Sequence, residues 1–416
     1  MKWEKVKLGD LCDITSSKRV HLAERVTYGV PFYCSKEIIL KRKHEDVTEC
    51  DFISENIWND INKKYGTPHY RDILVTTRGT IGVPYFYKKE DKFYFADGNL
   101  TWIKNYSSNL YPEFLYYWLD SQEGFLTIDA LAKGTAQKAL SINGLKSIEI
   151  PLPPVKIQQK TANILSAYDD LIENNQKQIK ILEEAAQRIY KEWFVDLRFP
   201  GHENVKIADG IPEGWENTNL GSIDCCMESG SRPKGGINKN CDSNSIPSIG
   251  AENVIGLGKY NFSSDKYITK EFFAKMRRGI LKNKDILIYK DGAYIGRTTL
   301  FQDDFPHKQA AVNEHVFLLH ATDESLQYYL FFTLYQQEYF QKMQSLNKNA
   351  AQPGLNQNAV FSLDFVLPNK VVINQFNSVI EPIMSKLFIK AKQIKLVQEA
   401  RDRLLNKLMS GELGVE

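Results

Sequence analysis

An internal duplication runs through the whole of this 416-residue sequence. Residues 134–153, GTAQKALSINGLKSIEIPLP, return as residues 349–368, NAAQPGLNQNAVFSLDFVLP. Trp3-Glu4 returns as Trp215-Glu216, and the aromatic stretch at 115–119 returns at 330–334. The offset between matching positions grows from 212 to 215 along the chain, as small insertions in the second copy would produce. The sequence therefore predicts two similar parts.

Each copy begins with roughly 150 residues of short apolar runs divided by Gly and Pro, such as DILVTT at 72–77. Period-two runs bounded by turn residues favour strands, and PEFLYYWLDSQ at 112–122 favours one packed helix. Ser141 is a good N-cap for a short helical turn before the alternating strand at 148–152. Each globular part is therefore predicted to be α+β.

A different pattern follows each globular part. From about Ile157 to Phe194 there is no Gly or Pro, and apolar residues recur at steps of three, four and seven. In the first copy they are Ile164, Tyr168, Leu171, Ile179, Leu182, Ala186, Ile189 and Trp193, and in the second Ile383, Leu387, Ala391, Ile394, Val397, Leu404 and Leu408. Asn175 lies in the first stripe where an apolar residue is expected. Two helices of about 35 residues are predicted, each roughly 50 Å long.

These stripes are too long for a small domain to cover, so we expect the two helices to bury each other as an antiparallel intramolecular coiled coil. That pairing holds the two α/β parts at opposite ends and gives the tandem repeat a pseudo-two-fold axis. The alternative is that each helix lies over its neighbouring sheet. The predicted boundaries are 1–152 for the first domain, 153–200 for the central helical region, 201–367 for the second domain and 368–416 for the C-terminal helical region.

Composition excludes several classes of protein. A net charge of +2 with 43% apolar residues is typical of a globular protein and argues against indiscriminate binding to polyanions, although local basic patches remain possible. Six cysteines without a CxxC pair, and an N-terminus without an apolar signal core, predict a cytoplasmic protein. No apolar run approaches the roughly 18 residues needed to span a bilayer.

Catalytic motifs are missing. SGSRPKGGI at 229–237 has glycines at P-loop spacing but lacks the Lys and Ser/Thr that hold phosphate and magnesium. There is no HExxH, GxSxG or GxGxxG, and His315 and His320 are expected on opposite sides of a strand. We predict neither a metal site nor covalent chemistry in this chain alone.

Polar and basic loops recur at matching places in the two copies. Arg and Lys can donate to guanine, Asn and Gln can pair with adenine, and hydroxyl groups and Lys can anchor phosphates. Each loop alone could simply be solvated, but the recurrence favours DNA binding. The candidate DNA-binding residues are Ser17, Lys18, Arg19, Lys36, Arg78, Thr80, Gln137, Lys138, Ser231, Arg232, Lys234, Lys239, Lys290, Arg297 and Gln352.

The plan resembles the specificity (S) subunits of Type I restriction-modification systems. The similar passages are WEKVKLG and WENTNLG at the domain starts, the two passages quoted first, and the helical stretches KQIKILEEA and KQIKLVQEA. The resemblance implies a non-catalytic subunit whose two target-recognition domains each read one half of a bipartite double-stranded DNA site. Because the two halves have diverged, we expect that site to be asymmetric.

The resemblance also implies partners. Two methyltransferase (M) subunits would dock on the chain and bind S-adenosylmethionine, and restriction (R) subunits with ATP and Mg would add cleavage, whereas the helix pair would fix the spacer. The chain itself is expected to bind no cofactor. A different possibility is a duplicated coiled-coil scaffold for partner proteins, and a third is a self-sufficient nuclease or methyltransferase. Only a DNA reader requires a basic stripe on the same side of both globular parts.

Overall fold

The computed structural model describes residues 3–132, 139–237, 241–242, 244–346 and 354–415. The chain divides into two compact units. Unit 1 comprises Met1–Glu173 with Leu396–Glu416, and unit 2 comprises Asn174–Lys395. Each unit therefore combines one globular part with a segment of each long helix.

The strands of unit 1 are short. They are β1 (Lys5–Lys7), β2 (Asp13–Thr15), β3 (Arg25–Val26), β4 (Val30–Tyr33), β5 (Asp51–Ile53), β6 (Ile73–Thr76), β7 (Pro84–Phe86), β8 (Tyr94–Phe95), β9 (Leu100–Lys104) and β10 (Glu149–Pro151). One antiparallel sheet has the order β2-β9-β6-β7, and β6 at its centre is buried throughout. A second sheet has the order β3-β5-β4-β8, in which β8 runs parallel to β4.

The helices that begin in unit 1 are α1 (Ser35–Arg42), α2 (Glu55–Tyr65), α3 (Pro112–Asp120), α4 (Gln122–Leu131), α5 (Ile142–Lys146) and α6 (Val155–Tyr190). The prediction of one helix over 112–122 was wrong at its end. Helix α3 ends at Asp120 because the hydroxyl group of Ser121 accepts a hydrogen bond from the Gly124 amide and caps α4. Ser141 caps α5 as predicted.

Unit 2 repeats most of this order. Its strands are β11 (Ile207–Ala208), β12 (Ile211–Pro212), β13 (Glu216–Asn219), β14 (Cys225–Ser229), β15 (Ser245–Ile249), β16 (Tyr267–Thr269), β17 (Ile286–Tyr289), β18 (Thr298–Leu300), β19 (Ala311–Val312), β20 (Val316–Ala321) and β21 (Asp364–Leu367). Its helices are α7 (Lys270–Lys275), α8 (Gln327–Tyr335), α9 (Gln337–Ser345), α10 (Gln357–Phe361) and α11 (Lys370–Met409). It has an additional hairpin, β11-β12, at its start and, among the described residues, no counterpart of β3 or α1.

The strand topology confirms the duplication. The sheet order β14-β20-β17-β18 matches β2-β9-β6-β7 strand for strand. In the other sheet β15 pairs antiparallel with β16 and parallel with β19, as β4 pairs with β5 and β8. The helix pairs α3-α4 and α8-α9 also correspond. Both globular parts are therefore versions of one α+β fold.

The repeated passages at the domain starts and ends pair with each other. Strand β1 is antiparallel to β10, with Val6 opposite Ile150. Strand β13 is antiparallel to β21, with Asn217 opposite Val366. Each pairing closes a globular part next to the point where its long helix begins. This explains why WEKVKLG and the IEIPLP segment recur together.

The stripes of the two long helices pack together within each unit. In unit 1, Ala162 and Leu165 of α6 share a buried cluster with Leu405 and Leu408 of α11. In unit 2, later residues of α6 share a cluster with earlier residues of α11, namely Ile179 and Ala186 with Leu387 and Ala391. This order is the one that an antiparallel pair requires. The same clusters include residues of α3 and α8, so the helices also complete the core of each globular part.

The buried stripe of α6 departs from the prediction in its first half, where the predicted Ile164 and Tyr168 are only half-buried and Leu165 is buried. Leu171 is 44% exposed, and Ile172 is buried in its place. Leu165, Asp169 and Ile172 follow one another at steps of four and three, so they share one helix face and turn Leu171 outward. Asn175 is buried, as its place in the stripe predicts, and its side-chain amide has no hydrogen-bond partner among the described residues.

The two units differ in the chemistry of one equivalent contact. In unit 1, Arg401 of α11 forms an ion pair with Asp169 of α6 at 2.6 Å, and the Tyr117 hydroxyl donates to the same carboxylate at 2.8 Å. Burial, and then the Asp169 charge, raise the pKa of Tyr117, so its hydroxyl group remains a donor. Shifted by the repeat offset of 215, these three positions are occupied by the buried residues Ala186, Met384 and Phe332 in unit 2. The same place is polar in one unit and apolar in the other.

The three apolar residues of unit 2 can therefore be substituted at the equivalent polar positions of unit 1. Asp169→Ala should destabilise unit 1 by about 3 kcal/mol, because it leaves Arg401 poorly paired in a place of little solvent access. The triple variant Tyr117→Phe, Asp169→Met, Arg401→Ala should recover most of this loss, because an apolar trio replaces the whole network. Urea denaturation of the three proteins tests this. A triple variant no more stable than Asp169→Ala would contradict the equivalence of the two contacts.

Candidate nucleic-acid interface

The candidate surface of each unit is built on the loop after its buried central strand. Arg78 follows β6 and forms a backbone bridge with Ala139, and Asp291 follows β17 and forms the same bridge with Gly354. Glycines with positive φ come next, at 74° for Gly79 and 121° for Gly292, a conformation that glycine adopts readily. The backbone therefore presents Arg78 and Asp291 in the same way.

In unit 1 several loops meet around Arg78. The Thr77 amide donates to the Asn99 carbonyl at 2.8 Å, and the Ser35 hydroxyl donates to the same carbonyl at 3.1 Å. Arg78, Thr80 and Lys36, the residue after Ser35, are exposed. Among the described residues the Arg78 guanidinium has no acidic partner. The structure thus brings Lys36, Arg78 and Thr80 to one surface.

The loop at 17–19 borders this surface. Arg19 donates through Nε to Asp97 at 2.7 Å, and Asp97 is two residues before Asn99. The Lys18 amide donates to the Tyr94 hydroxyl at 2.8 Å, and the Lys18 side chain lies over Tyr65, 5.4 Å from the ring centre. Burial raises the pKa of Tyr94 to about 12, so the tyrosine stays neutral. Ser17 is half-buried beside Lys18, which leaves Lys18 and Arg19 as the exposed cations of this loop.

In unit 2 the corresponding surface holds a chain of polar contacts. Arg232 forms an ion pair with Glu314 and approaches Nε2 of His315 at 3.0 Å. Nδ1 of His315 lies 2.7 Å from Oδ1 of Asp291. Because the guanidinium can only donate, Nε2 must accept and Nδ1 must carry the proton that is donated to Asp291. Ser231 and Lys234, on either side of Arg232, are exposed.

Lys290 and Arg297 lie at the two ends of the next loop. Lys290 donates through Nζ to the Glu314 carbonyl at 3.1 Å, so it belongs to the same group as Arg232. Arg297 instead stacks on the half-exposed Tyr294, 3.9 Å from the ring centre. Within the described part of the chain, no hydrogen bond or ion pair joins Arg297 to the group of contacts around Arg232. Gln137, Lys138, Lys239 and Gln352 lie outside the described residues.

Sequence reasoning missed the acceptors in both surfaces. Asp97 in unit 1, and Glu314 and His315 in unit 2, contact the predicted cations. Asn99 accepts hydrogen bonds from Thr77 and Ser35, and Asp291 lies against His315. None of these five was predicted as a site residue. Asp97 and Asp291 each precede a Gly at the end of a buried run, a turn pattern that could have identified them. His320 pairs with Asp285 at 2.7 Å, apart from the contacts of His315. Within the described residues no three His, Cys, Asp or Glu side chains gather as metal ligands.

Among the helices of the described residues, none is both long and apolar enough to cross a lipid bilayer.

Comparison with known proteins gives one consistent result. The family model for the Type I restriction modification DNA specificity domain matches residues 1–184. The Type I restriction enzyme MjaIX specificity subunit of Methanocaldococcus jannaschii is 30% identical over 309 residues, which cover 73% of this chain and 69% of the relative. The MjaVIII specificity subunit of the same organism is 25% identical over 426 residues, covering 100% of this chain and 93% of the relative.

A solved structure shares the fold. The crystal structure of a Type-I restriction-modification system S subunit from M. genitalium superposes with a TM-score of 0.60 at 18% identity, covering 98% of this chain and 96% of that one. These matches define the class of protein, which is a subunit that provides DNA sequence specificity. The chain belongs to the family of Type I restriction enzyme specificity subunits. Family membership confirms the predicted resemblance and the prediction of a non-catalytic subunit.

The contacts of Arg232 lead to a prediction about DNA affinity. Arg232→Ala should weaken binding by about 1–3 kcal/mol because it removes an exposed cation at the candidate surface. Glu314→Gln should strengthen binding at low salt, because it removes the charge that neutralises Arg232. Fluorescence anisotropy with a labelled duplex over a salt series measures both. Arg198→Ala is the matched control, since Arg198 is also exposed and paired with carboxylates but lies in the segment between α6 and β11. Equal DNA affinities of the Arg232 and Arg198 variants would show that Arg232 does not contact the DNA.

Proposed function

We propose that each unit reads one half of an asymmetric, bipartite site in double-stranded DNA. The observation that carries this proposal is the pair of equivalent loop surfaces with different side chains. Cations converge on both surfaces, as phosphate binding requires. At the position after the central strand, however, unit 1 has Arg78 and unit 2 has Asp291. Equivalent positions with different hydrogen-bonding groups support different sequences for the two half-sites.

The long helices would set the number of unspecified base pairs between the half-sites. Helix α6 has 36 residues and α11 has 40. At 1.5 Å per residue they are about 54 and 60 Å long. Half-sites one helical turn apart are separated by about 34–36 Å, so helices of this length suit a spacer of that order.

Two M subunits are the proposed protein partners, and exposed apolar residues on the helices support this. The repeated tetrapeptide KQIK is followed by Ile181 in α6 and by Leu396 in α11. Each of these side chains is 63% exposed although it is large and apolar. One belongs to unit 2 and the other to unit 1, so the two units offer equivalent contacts to two copies of one partner.

The cofactors and the R subunits belong to the same proposal. S-adenosylmethionine, ATP and Mg would be bound by M and R subunits, and this chain would contribute no cofactor site. The assembled complex would act on DNA in the cytoplasm.

A domain exchange tests the two-reader proposal. When the chain is co-expressed with its M partner, methylation should fall at one split sequence. Replacing residues 1–152 with the corresponding part of another specificity subunit should change one half of that sequence and leave the other, because each unit has its own sheet and loops. Sequencing of methylated adenines gives the answer. If both halves changed, the half-sites would not be assigned to separate units.

The exposed helix positions make a second prediction. Ile181→Asp and Leu396→Asp should each lower the number of bound M subunits from two to one, because a carboxylate would be desolvated at one of two contacts. The double variant should bind none. Mass photometry of the purified complexes measures the stoichiometry. Ile207→Asp is the matched control, since Ile207 is also an exposed isoleucine but lies outside the helices. Two M subunits on the double variant would exclude this docking surface.

A further inference from the structure

Several independent backbone contacts show that Arg78 and Asp291 occupy equivalent places in the two units. The Leu140 amide donates to the Thr77 carbonyl at 3.1 Å, and the Leu355 amide donates to the Lys290 carbonyl at 2.8 Å. Thr77 and Lys290 are the residues before Arg78 and Asp291. Together with the matching bridges to Ala139 and Gly354, these contacts fix the two positions to the same site of the fold.

The strand across from each loop also supplies an equivalent neighbour. The Thr77 amide donates to the Asn99 carbonyl, and the Lys290 amide donates to the His315 carbonyl. Asn99 and His315 therefore correspond, and each unit has a two-residue set at one place. The set is Arg78 with Asn99 in unit 1 and Asp291 with His315 in unit 2. The backbone contacts are the same in the two copies, but the first residue of the set changes from a hydrogen-bond donor, Arg78, to an acceptor, Asp291.

We propose that Arg78 and Asp291 each determine the base at one position of a half-site. Arg78 reads a guanine in one half-site, and Asp291 reads a cytosine in the other. This assignment rests on the proposed function. An arginine fork donates to O6 and N7 of guanine, whereas a carboxylate accepts from the N4 amino group of cytosine. Adenine also has an amino group, but its N7 acceptor lies beside it and repels a carboxylate.

The surroundings of Asp291 suit this role. His315 holds Oδ1, which leaves Oδ2 for a base, and the carboxylate side chain is 31% exposed. A carboxylate on a DNA-facing surface opposes phosphate binding, so it weakens binding to DNA in general. Within the same group of contacts the two cations, Arg232 and Lys290, only balance the two carboxylates, Glu314 and Asp291. An acidic group placed there therefore contributes to selection between bases, not to affinity.

Arg78 is correspondingly free to reach a base. It is exposed, and its guanidinium has no acidic partner in the described part of the chain, whereas the nearby Arg19 is held by Asp97. Part of the hydrogen-bonding capacity of Arg19 is thus already used, and Arg78 is the better placed of the two to contact a base edge.

Conservative variants in the complete complex with M subunits test the assignment. Binding to a library of duplexes with randomised half-sites is measured by sequencing the bound fraction. Arg78→Lys keeps the charge but loses the planar fork, so it should retain affinity for non-specific duplexes and lose discrimination for guanine by about 5- to 150-fold at one position. Asp291→Asn keeps an acceptor for His315 but adds a donor, so it should lose the preference for cytosine at one position of the other half-site and gain adenine.

Two controls separate base reading from a structural role. Asp304→Asn removes another exposed carboxylate of unit 2, in a backbone conformation that Asn tolerates, and should leave the recognised sequence unchanged. Thermal unfolding of each variant should match the parent, since the altered side chains are at the surface.

The outcomes distinguish this inference from the function on which it rests. A split recognition sequence that is unchanged by Arg78→Lys and Asp291→Asn would overturn the base assignment and leave the two-reader model intact. A change at one position per half-site to bases other than those expected would also overturn the assignment. A parent complex whose recognised sequence has a single continuous part would overturn both.

Discussion

The structure depends on apolar surface that neither globular part can bury alone. In unit 1 the sheet and α3 leave a face that is covered by Leu165 of α6 and by Leu405 and Leu408 of α11. In unit 2 the equivalent face is covered by Ala186 and Leu387 of the same two helices. Helix burial and core formation are therefore one process in each unit. The sequence distance between α6 and α11 makes both units products of nonlocal contacts.

Duplication has allowed chemistry to diverge on a fixed backbone. The strand orders of the two units match, yet a polar trio around Asp169 in unit 1 is replaced by an apolar trio around Met384 in unit 2. The same holds at the candidate DNA surface, where Arg78 and Asp291 share backbone contacts and differ in charge. The first difference lies in the core of each unit, and the second lies at the proposed DNA-reading surface. One fold supports both because neither position determines the path of the chain.

The repeat, the long helices and the α+β class were predictable because periodicity and turn residues are local properties of a sequence. The break at Ser121 was not predicted, since a single polar residue can either continue a helix or cap a new one. The exposure of Leu171 depends on which face of α6 meets α11, which only tertiary contacts determine. Some of the predicted cations do reach common surfaces, namely Lys36 and Arg78 in unit 1 and Arg232 and Lys290 in unit 2. The partners of Arg19 and Arg232 are Asp97, Glu314 and His315, which lie in turns far away in the sequence, and no local pattern relates them to these arginines.

The assignment of Leu396–Glu416 to unit 1 has a consequence for synthesis on the ribosome. The residues up to Glu173 emerge first, but the segment that completes their core is translated more than 200 residues later. Until then Leu165 and its neighbours lack their helical cover, and the nascent chain carries an apolar face that chaperones can bind. Unit 2, in contrast, is continuous in sequence and can finish folding first. Premature termination inside α11 would therefore damage the N-terminal recognition unit while sparing much of the one that follows it.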